Sequence, residues 1–409
     1  MRTVIIGAGA SGLAAAITLK RKCPPIDVVL LEKLDAPGKK LLATGNGRCN
    51  LTNTSIDVSA YHGDSSTVYH VLNAFGTEEC LDFFHSLGLL TLEEEGRVYP
   101  RSMNAATVRN LLLEEVARLG VEVRTDFPVG ALEPGFTITN KAGTEAIAAD
   151  FVLLALGGKA DAAHGTDGDG YPLLKKLGIR YAPISPALTA LLTDSKVKPL
   201  KGLRFRGSAG LFREDGTLLG REEGEFQFTA NGLSGIPAFQ LSGDAAVFTK
   251  QETLTALLDF CPNLPDIALF QYLQDRQFAG TPEEPVLHLL TGVLQEKLAR
   301  FLLEDKGLSP ETPVHRLGTQ DLADLAGFLK NWPLPVTGTK SFKDAQVTRG
   351  GVPAEELAEG SLESKRCPGL WFSGELLNVD GACGGFNLHF AWGSGILAAK
   401  EIIKRAAHQ

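Results

Sequence analysis

The chain predicts an α/β fold built on a parallel sheet and interrupted by a second domain, and three observations carry that prediction. The β-branched run Thr3-Val4-Ile5-Ile6 leads straight into Gly7-Ala8-Gly9-Ala10-Ser11-Gly12, with Ala16 four positions on. A second run, Ile26 to Leu31, closes on Glu32, and a third, Phe151 to Leu156, is almost continuously apolar and ends on Gly157-Gly158. Strands buried on both faces have this character, and a strand, a Gly-x-Gly-x-x-Gly turn and a helix in register form the opening of a dinucleotide-binding βαβ unit.

Each residue of the first turn has a task. Gly7 allows the tight turn, Gly9 lets the backbone approach a pyrophosphate, and Gly12 lets the helix press on the strand. Free N–H groups and the positive helix end, from Ala10 and Ser11 onward, then face the phosphates. The helix is expected to end near Lys22, before Pro24-Pro25. Glu32 stands where an acid accepts hydrogen bonds from a ribose 2′-hydroxyl and repels a 2′-phosphate.

The loop 36–53 packs glycines, amides and cations together, as functional loops do. Helical patterns follow at 67–87 and 105–119, the second with Val108, Leu111, Leu112, Val116 and Leu119 on one face and Gly120 as its stop. Short strands near 121–125, 135–139 and 145–149 suggest an antiparallel meander before the Phe151 strand. From about 186 the texture changes. We expect an inserted domain over 186–340, β-rich over 186–250 as a small barrel and helical over 251–330, dividing the first domain into 1–185 and 341–409. The first domain then finishes with the strand Gly369 to Ser373 and a closing helix from about Gly385 through Ala399.

With 409 residues, two or three domains are expected, and 44% hydrophobic with 22% charged residues is the composition of a globular protein. A formal charge of −8 gives no general attraction to nucleic acid or anionic membrane. One basic segment, Lys196, Lys198, Lys201, Arg204, Arg206 and Arg213, is the exception, and we read it as the solvated face of a small sheet. The six cysteines, none closer than sixteen residues to the next, offer no Cys-x-x-Cys pair and no zinc knuckle, and suit a reducing cytoplasm. No metal site, membrane span or export signal is expected.

Gly374-Glu375, after the last strand, is a second sign of a bound dinucleotide. Asp380 to His389 then runs through Gly384-Gly385 into the closing helix, whose positive end suits a reduced flavin ring. The segments Gly45 to Asn53, Gly165 to Tyr171, Thr229 to Pro237, Gly350-Gly351-Val352 and Gly374 to Asn387 together resemble a bacterial flavoprotein family. That family includes aminoacetone oxidase-like enzymes and the bile-acid-inducible flavoprotein reductase. The resemblance spans essentially the whole chain and implies FAD, a glutathione-reductase-like FAD-binding Rossmann domain, and an insert closing over the isoalloxazine. It implies that Gly7, Gly9, Ala10, Ser11 and Gly12 meet the pyrophosphate, and that Glu32 and Lys33 meet the adenosine ribose. Lys40 and Asn46, Gly47, Arg48, Cys49 and Asn50 would line the flavin, with Gly157, Gly374, Glu375, Gly385, Asn387 and Leu388 completing the site. Leu156 and His389 depart from the family's usual threonine and glutamine.

Candidate catalytic residues are Arg48, which would stabilise anionic charge or hold its loop by carbonyl contacts, and His389, a general acid or base or else a structural ring. Cys49, without a partner, is better read as a small buried side chain. The expected activity is an FAD-dependent oxidoreductase moving a hydride between flavin N5 and a small or mid-sized organic substrate, by amine oxidation or C=C reduction, at a site between the FAD domain and the insert. No second Gly-x-Gly-x-x-Gly is present, so the electron donor or acceptor is sought among the substrate, NAD(P)H without a dedicated domain, oxygen, or a partner protein. The alternatives are a flavin-dependent RNA-modifying enzyme using 196–213, and a non-catalytic FAD-binding protein.

Overall fold

The computed structural model describes residues 1–133 and 135–408. It divides into two compact units, Met1–Pro186 with Phe342–Gln409, and Ala187–Ser341. The first is built on a five-stranded parallel sheet in the order Leu370–Phe372, Phe151–Leu154, Arg2–Ile6, Asp27–Leu31, Glu122–Arg124. Registers such as Ile6 beside both Leu154 and Leu31 place the first strand at the centre. Val4, Ile5, Val29, Leu30, Val152 and Leu153 are all essentially inaccessible, which is why these strands carry apolar residues on both faces.

The first helix, Ala10–Lys22, buries Ser11 through Leu19 and ends in Lys20, Arg21 and Lys22, cations suited to a helix C-terminus. The closing helix, Phe386–Ala406, lies against it. A Cβ on Gly395 would come within 2.2 Å of the Ser11 carbonyl oxygen, so only glycine permits this approach.

Two boundaries differ from expectation. The pattern over 67–87 is two helices, Ser65–Ala74 and Thr77–His85, because Gly76 starts a new one: its N–H donates to Glu79 Oε2 at 2.9 Å. Glu122–Arg124 also leaves the meander and joins the parallel sheet beside Asp27–Leu31. The meander itself is Val129–Glu133, Thr137–Asn140 and Ala146–Ala148.

The second unit is a closed six-stranded barrel in the order Leu191–Thr193, Gly232–Ser234, Leu218–Thr229, Arg204–Phe212, Leu254–Asp259, Trp332–Thr339, with helices at Ile236–Phe248, Asp266–Ala279, Glu296–Asp305 and Thr319–Lys330. The expected division at 250 is corrected on both sides. Ile236–Phe248 is a helix inside the stretch read as β-rich. Leu254–Asp259 is a barrel strand inside the stretch read as helical, and its burial alternates with period two. Phe205, Phe226, Phe228, Phe260 and Trp332 form one aromatic cluster in the core of this unit, Phe205 and Phe226 stacking at 5.3 Å.

Candidate functional site

The three glycines of the first turn are constrained differently. Gly7 has φ +109° and donates its N–H to Leu31 O, and a Cβ there would lie 2.3 Å from Ala155 O. A Cβ on Gly12 would lie 2.0 Å from Gly7 O. Gly9 has an ordinary extended φ of −84°, and no protein atom lies within 4 Å of where its Cβ would be. Gly9 is the N-cap of the first helix, where glycine is favoured, and the open space at its missing Cβ also leaves room for a ligand to approach the backbone.

Glu32 is placed at the end of the second strand and closes this turn, accepting from Ala8 N–H at 3.2 Å and Leu34 N–H at 3.0 Å, while burial pushes its carboxyl above the usual range. Lys33 is corrected. Its ammonium is committed to Asp167 and to Asp169 at 2.8 Å, and a Cβ on Gly165 would touch Leu34, so this lysine latches the 157–169 loop onto the strand end.

Lys40 and Glu375, distant in sequence, meet at 3.0 Å. Lys40 Nζ also donates to Ala160 O, and Glu375 Oε1 accepts from Thr348 N–H at 2.8 Å. Thr348 Oγ1 in turn accepts from Lys159 N–H and Ala160 N–H, and a Cβ on Gly158 would fall 2.4 Å from both Glu375 Oε1 and Thr348 Oγ1. Gly157, at φ +70°, opens this loop. Gly374, at φ +67°, sits against Ser11 and donates its N–H to Ser394 Oγ at 2.8 Å. The phosphate turn, Gly374-Glu375 and the closing helix are thus one assembly. Thr348 and Ser394 were missed at the sequence level. Thr348 stands two residues before the quoted Gly350-Gly351 pair, the nearest signal for it; Ser394 lies in a plain helical run with none.

The Gly45–Asn50 loop owes its shape to left-handed backbone at Gly45 (φ +57°), Asn46 (φ +55°), Gly47 (φ +83°) and Cys49 (φ +59°). Arg48 holds it: Nε donates to Gly45 O, the guanidinium lies 4.7 Å over the Tyr99 ring, and Glu94 is 3.8 Å away. Of the two roles foreseen for Arg48, the geometry displays the loop-holding one. Cys49 is fully buried, which pushes its thiol up to about 12 and fits the small buried side chain read from the sequence. Asn50, at the loop's inner end, is also buried, whereas Asn46 is exposed.

This loop adjoins the start of the closing helix, since a Cβ on Gly385 would lie 2.5 Å from Thr52 O. Of the two readings of His389, acid or base and structural ring, the geometry displays the second. The ring is 0% exposed, Nδ1 is 2.8 Å from Thr52 Oγ1 and Nε2 is 3.0 Å from Phe75 O, and burial pushes the imidazole down to about 4. With both nitrogens engaged inside the core, it is a structural ring and not an acid or base. The side chain of Asn387 accepts from Gly381 N–H and donates to Gly381 O at 2.7 Å and to Ala382 O, so it staples the turn before the helix. Asp380, paired with Arg349, anchors the same turn. What Asn387 and Leu388 present outward is first-turn backbone N–H, unpaired within the helix.

These residues fit FAD. Both helix starts, at Gly9 and Gly385, lack side-chain caps and carry no acid in their first turns, leaving two positive ends unopposed. The open approach at Gly9 suits a pyrophosphate, and the start of the closing helix suits negative charge on a reduced ring.

Residues 1–401 match the family described as HI0933-like protein Rossmann domain. The chain is 40% identical to the 3-dehydro-bile acid delta(4,6)-reductase of Clostridium scindens, over 99% of each chain. It is 27% identical to the ribosomal RNA dihydrouridine synthase of Escherichia coli, over 98% of this chain and 97% of that one. Among solved structures, the 3-ketosteroid delta1-dehydrogenase of Sterolibacterium denitrificans shares the fold, with a TM-score of 0.52 at 13% identity, covering 100% of this chain and 99% of the other.

Proposed function

The chain belongs to the HI0933-like family and is an FAD-dependent oxidoreductase, and from that premise we propose that its reaction is reduction of a carbon–carbon double bond conjugated to a carbonyl. The observation that carries this reading is full-length 40% identity to a delta(4,6)-reductase of a 3-dehydro bile acid. The substrate class it supports is an apolar, polycyclic enone of the oxo-steroid type, in preference to a small amine. The chemistry supplied by bound FAD is hydride transfer at N5 to the carbon β to the carbonyl, with a proton added at the α carbon.

The chain's own part is to bind and polarise. The open turn at Gly9 and the first-helix N–H groups hold the pyrophosphate, and Glu32 keeps that turn closed while offering acceptor capacity to the ribose. Lys40 and Thr348 fix the Glu375 carboxylate, which would hold hydroxyl groups of the bound cofactor. The uncapped start of the closing helix would favour negative charge on a flavin bound there. Sheet order and closing helix together support the finer reading of a glutathione-reductase-like FAD domain. Six free cysteines support a reducing, cytoplasmic setting, and among the described residues no helix is long and apolar enough to cross a membrane.

To test the reaction, the photoreduced protein is mixed without oxygen with a 3-oxo-4,6-diene bile acid. Return of the oxidised flavin spectrum with a product heavier by two hydrogens is expected. Reoxidation by oxygen alone, with amines reducing the flavin, would replace this reading with amine oxidation.

Similarity to an RNA-modifying enzyme favours a second reading, against which three of the six cations in the basic segment are already paired with acids. Lys196 pairs with Asp305 at 2.7 Å, Arg204 with Glu225 at 2.9 Å and Arg213 with Glu252 at 2.7 Å. Cations neutralised in this way release few counterions on binding a polyanion. A gel shift with ribosomal RNA at low salt is expected to be blank; a shift that weakens steeply with salt would favour RNA.

A further inference from the structure

Beside the turn that opens the closing helix stands an arginine that no acid meets. Arg97 begins the strand Arg97–Pro100, is half-buried, and among the described residues forms no ion pair and no side-chain hydrogen bond. Glu94 lies opposite it in the hairpin register, where unlike charges usually pair, yet the arginine that Glu94 approaches, at 3.8 Å, is Arg48. Asp380, the acid of the adjoining turn, is paired with Arg349. A Cβ on Gly384 would lie 3.5 Å from Arg97 Nε, and Asn53, the ladder partner of Arg97, donates Nδ2 to Gly384 O at 2.9 Å. The Arg97 side chain therefore adjoins the residue just before Gly385, the N-cap of the closing helix. Burial pushes the neighbouring Cys383 thiol up against the opposite pull of Arg97, so no thiolate neutralises the cation. A partly desolvated charge without a partner costs free energy, and an arriving anion offsets that cost.

We propose that Arg97 is the oxyanion-binding residue of the reaction, its guanidinium receiving the carbonyl oxygen of the enone as that oxygen becomes an enolate. This rests on the substrate being a conjugated enone and adds the residue that meets its charge. When hydride adds to the β carbon, the C=C electron pair shifts to join the α carbon to the carbonyl carbon, and the C=O pair moves onto oxygen. A proton from water then adds at the α carbon and the C=O bond re-forms. Negative charge rests on the substrate oxygen only between these two events, and a fixed cation there lowers the barrier. Arginine suits the task because it stays protonated throughout and presents a fork of N–H donors. Tyr99, two residues on and on the same strand face, carries the other arginine of this region, Arg48, which is engaged with Gly45 O. The first-turn N–H groups of the closing helix come from a different element and remain for the ring.

The experiment uses the FAD-loaded protein with its Arg97→Met and Arg97→Lys variants, and a steroid phenol with an aromatic first ring as probe. The phenolate oxygen imitates the enolate, and a phenolate held against oxidised flavin gives a long-wavelength charge-transfer band. At neutral pH the native chain is expected to develop the band on titration with the phenol, Arg97→Lys to develop it weakly, and Arg97→Met to bind the phenol without it. In single turnovers of the photoreduced protein with the 3-oxo-4,6-diene bile acid, Arg97→Met is expected to be slower by about 100-fold or more. Arg97→Lys, which keeps the charge, is expected to recover part of that rate. Absence of the band from the native chain, a band of equal strength in Arg97→Met, or an unchanged rate would overturn the proposal. So would a shifted flavin midpoint potential in Arg97→Met with the band intact, which would give Arg97 to the cofactor instead. A native chain that shows the Arg97-dependent band but leaves the dienone unreduced would keep the oxyanion site and remove the enone reading, so the two failures are distinct.

Discussion

At His389, burial fixes the sign of a pH dependence. The imidazole is lowered to about 4 in the folded protein from its ordinary 6.5, so between those values the unfolded chain binds the proton and the folded chain does not. Stability is then fully present above about pH 6.5 and is lost as pH falls toward 4, by on the order of 3 kcal/mol in all. Urea midpoints measured across this window should fall steeply for the native chain and much less for His389→Gln, which carries no titrating ring. Parallel curves for the two proteins would show that His389 does not set the acid limit. Asn46 offers a second test, because its φ of +55° is tolerated by asparagine and resisted by a β-branched side chain. Asn46→Val is expected to lose about 1–2 kcal/mol and to purify with less flavin, and Asn46→Gly to keep both. The residue types in this loop were visible in the sequence. Their roles were not, since whether an arginine meets a carbonyl or a substrate depends on Tyr99 and Glu94, fifty residues away.

At the scale of elements, the phosphate turn separates two reasons for keeping glycine. Gly12 is required by the protein, with Gly7 O 2.0 Å from its missing Cβ, whereas Gly9 meets nothing. Gly9→Ala is therefore expected to leave the melting of the apoprotein within about 1 kcal/mol of native, the scale of an N-cap change, while weakening FAD at least ten-fold. Gly12→Ala is expected to destabilise the apoprotein itself by about 1–3 kcal/mol or more, as overpacking does. Scanning calorimetry with and without FAD distinguishes them, and a destabilised Gly9→Ala apoprotein would show that the protein and not the ligand demands that glycine. This turn was legible in the sequence because its constraints are local: strand, glycine spacing and helix lie within sixteen residues. The Lys40–Glu375–Thr348 cluster was only half legible. Lys40 and Glu375 stand in conspicuous loops, but Thr348 enters through a contact that sequence order does not reveal. The helix break at Gly76 and the switch of Glu122–Arg124 into the parallel sheet were missed for a related reason, since short segments take their state from neighbours more than from propensity.

For the whole molecule, each unit has its own apolar core, and the cluster from Leu191 to Val336 contains no residue of the first unit. The ends of the second unit also meet within it: Leu191 pairs with Thr339, so its first and last barrel strands are neighbours. A change of texture near 186 was legible, as was a β-rich start. A small barrel was legible too; which strands complete it was not, because Leu254–Asp259 and Trp332–Thr339 are short runs set among helices, and only pairing between them shows that they are strands. Separate cores with adjacent chain ends are the properties of a segment that folds unaided. The fragment 187–341 is accordingly expected to be soluble, to unfold in one cooperative urea transition, and to be indifferent to added FAD, because every residue assigned here to the cofactor lies in the other unit. A fragment that stays unfolded, or whose midpoint rises with FAD, would show that the barrel depends on the first unit or contributes to the flavin site.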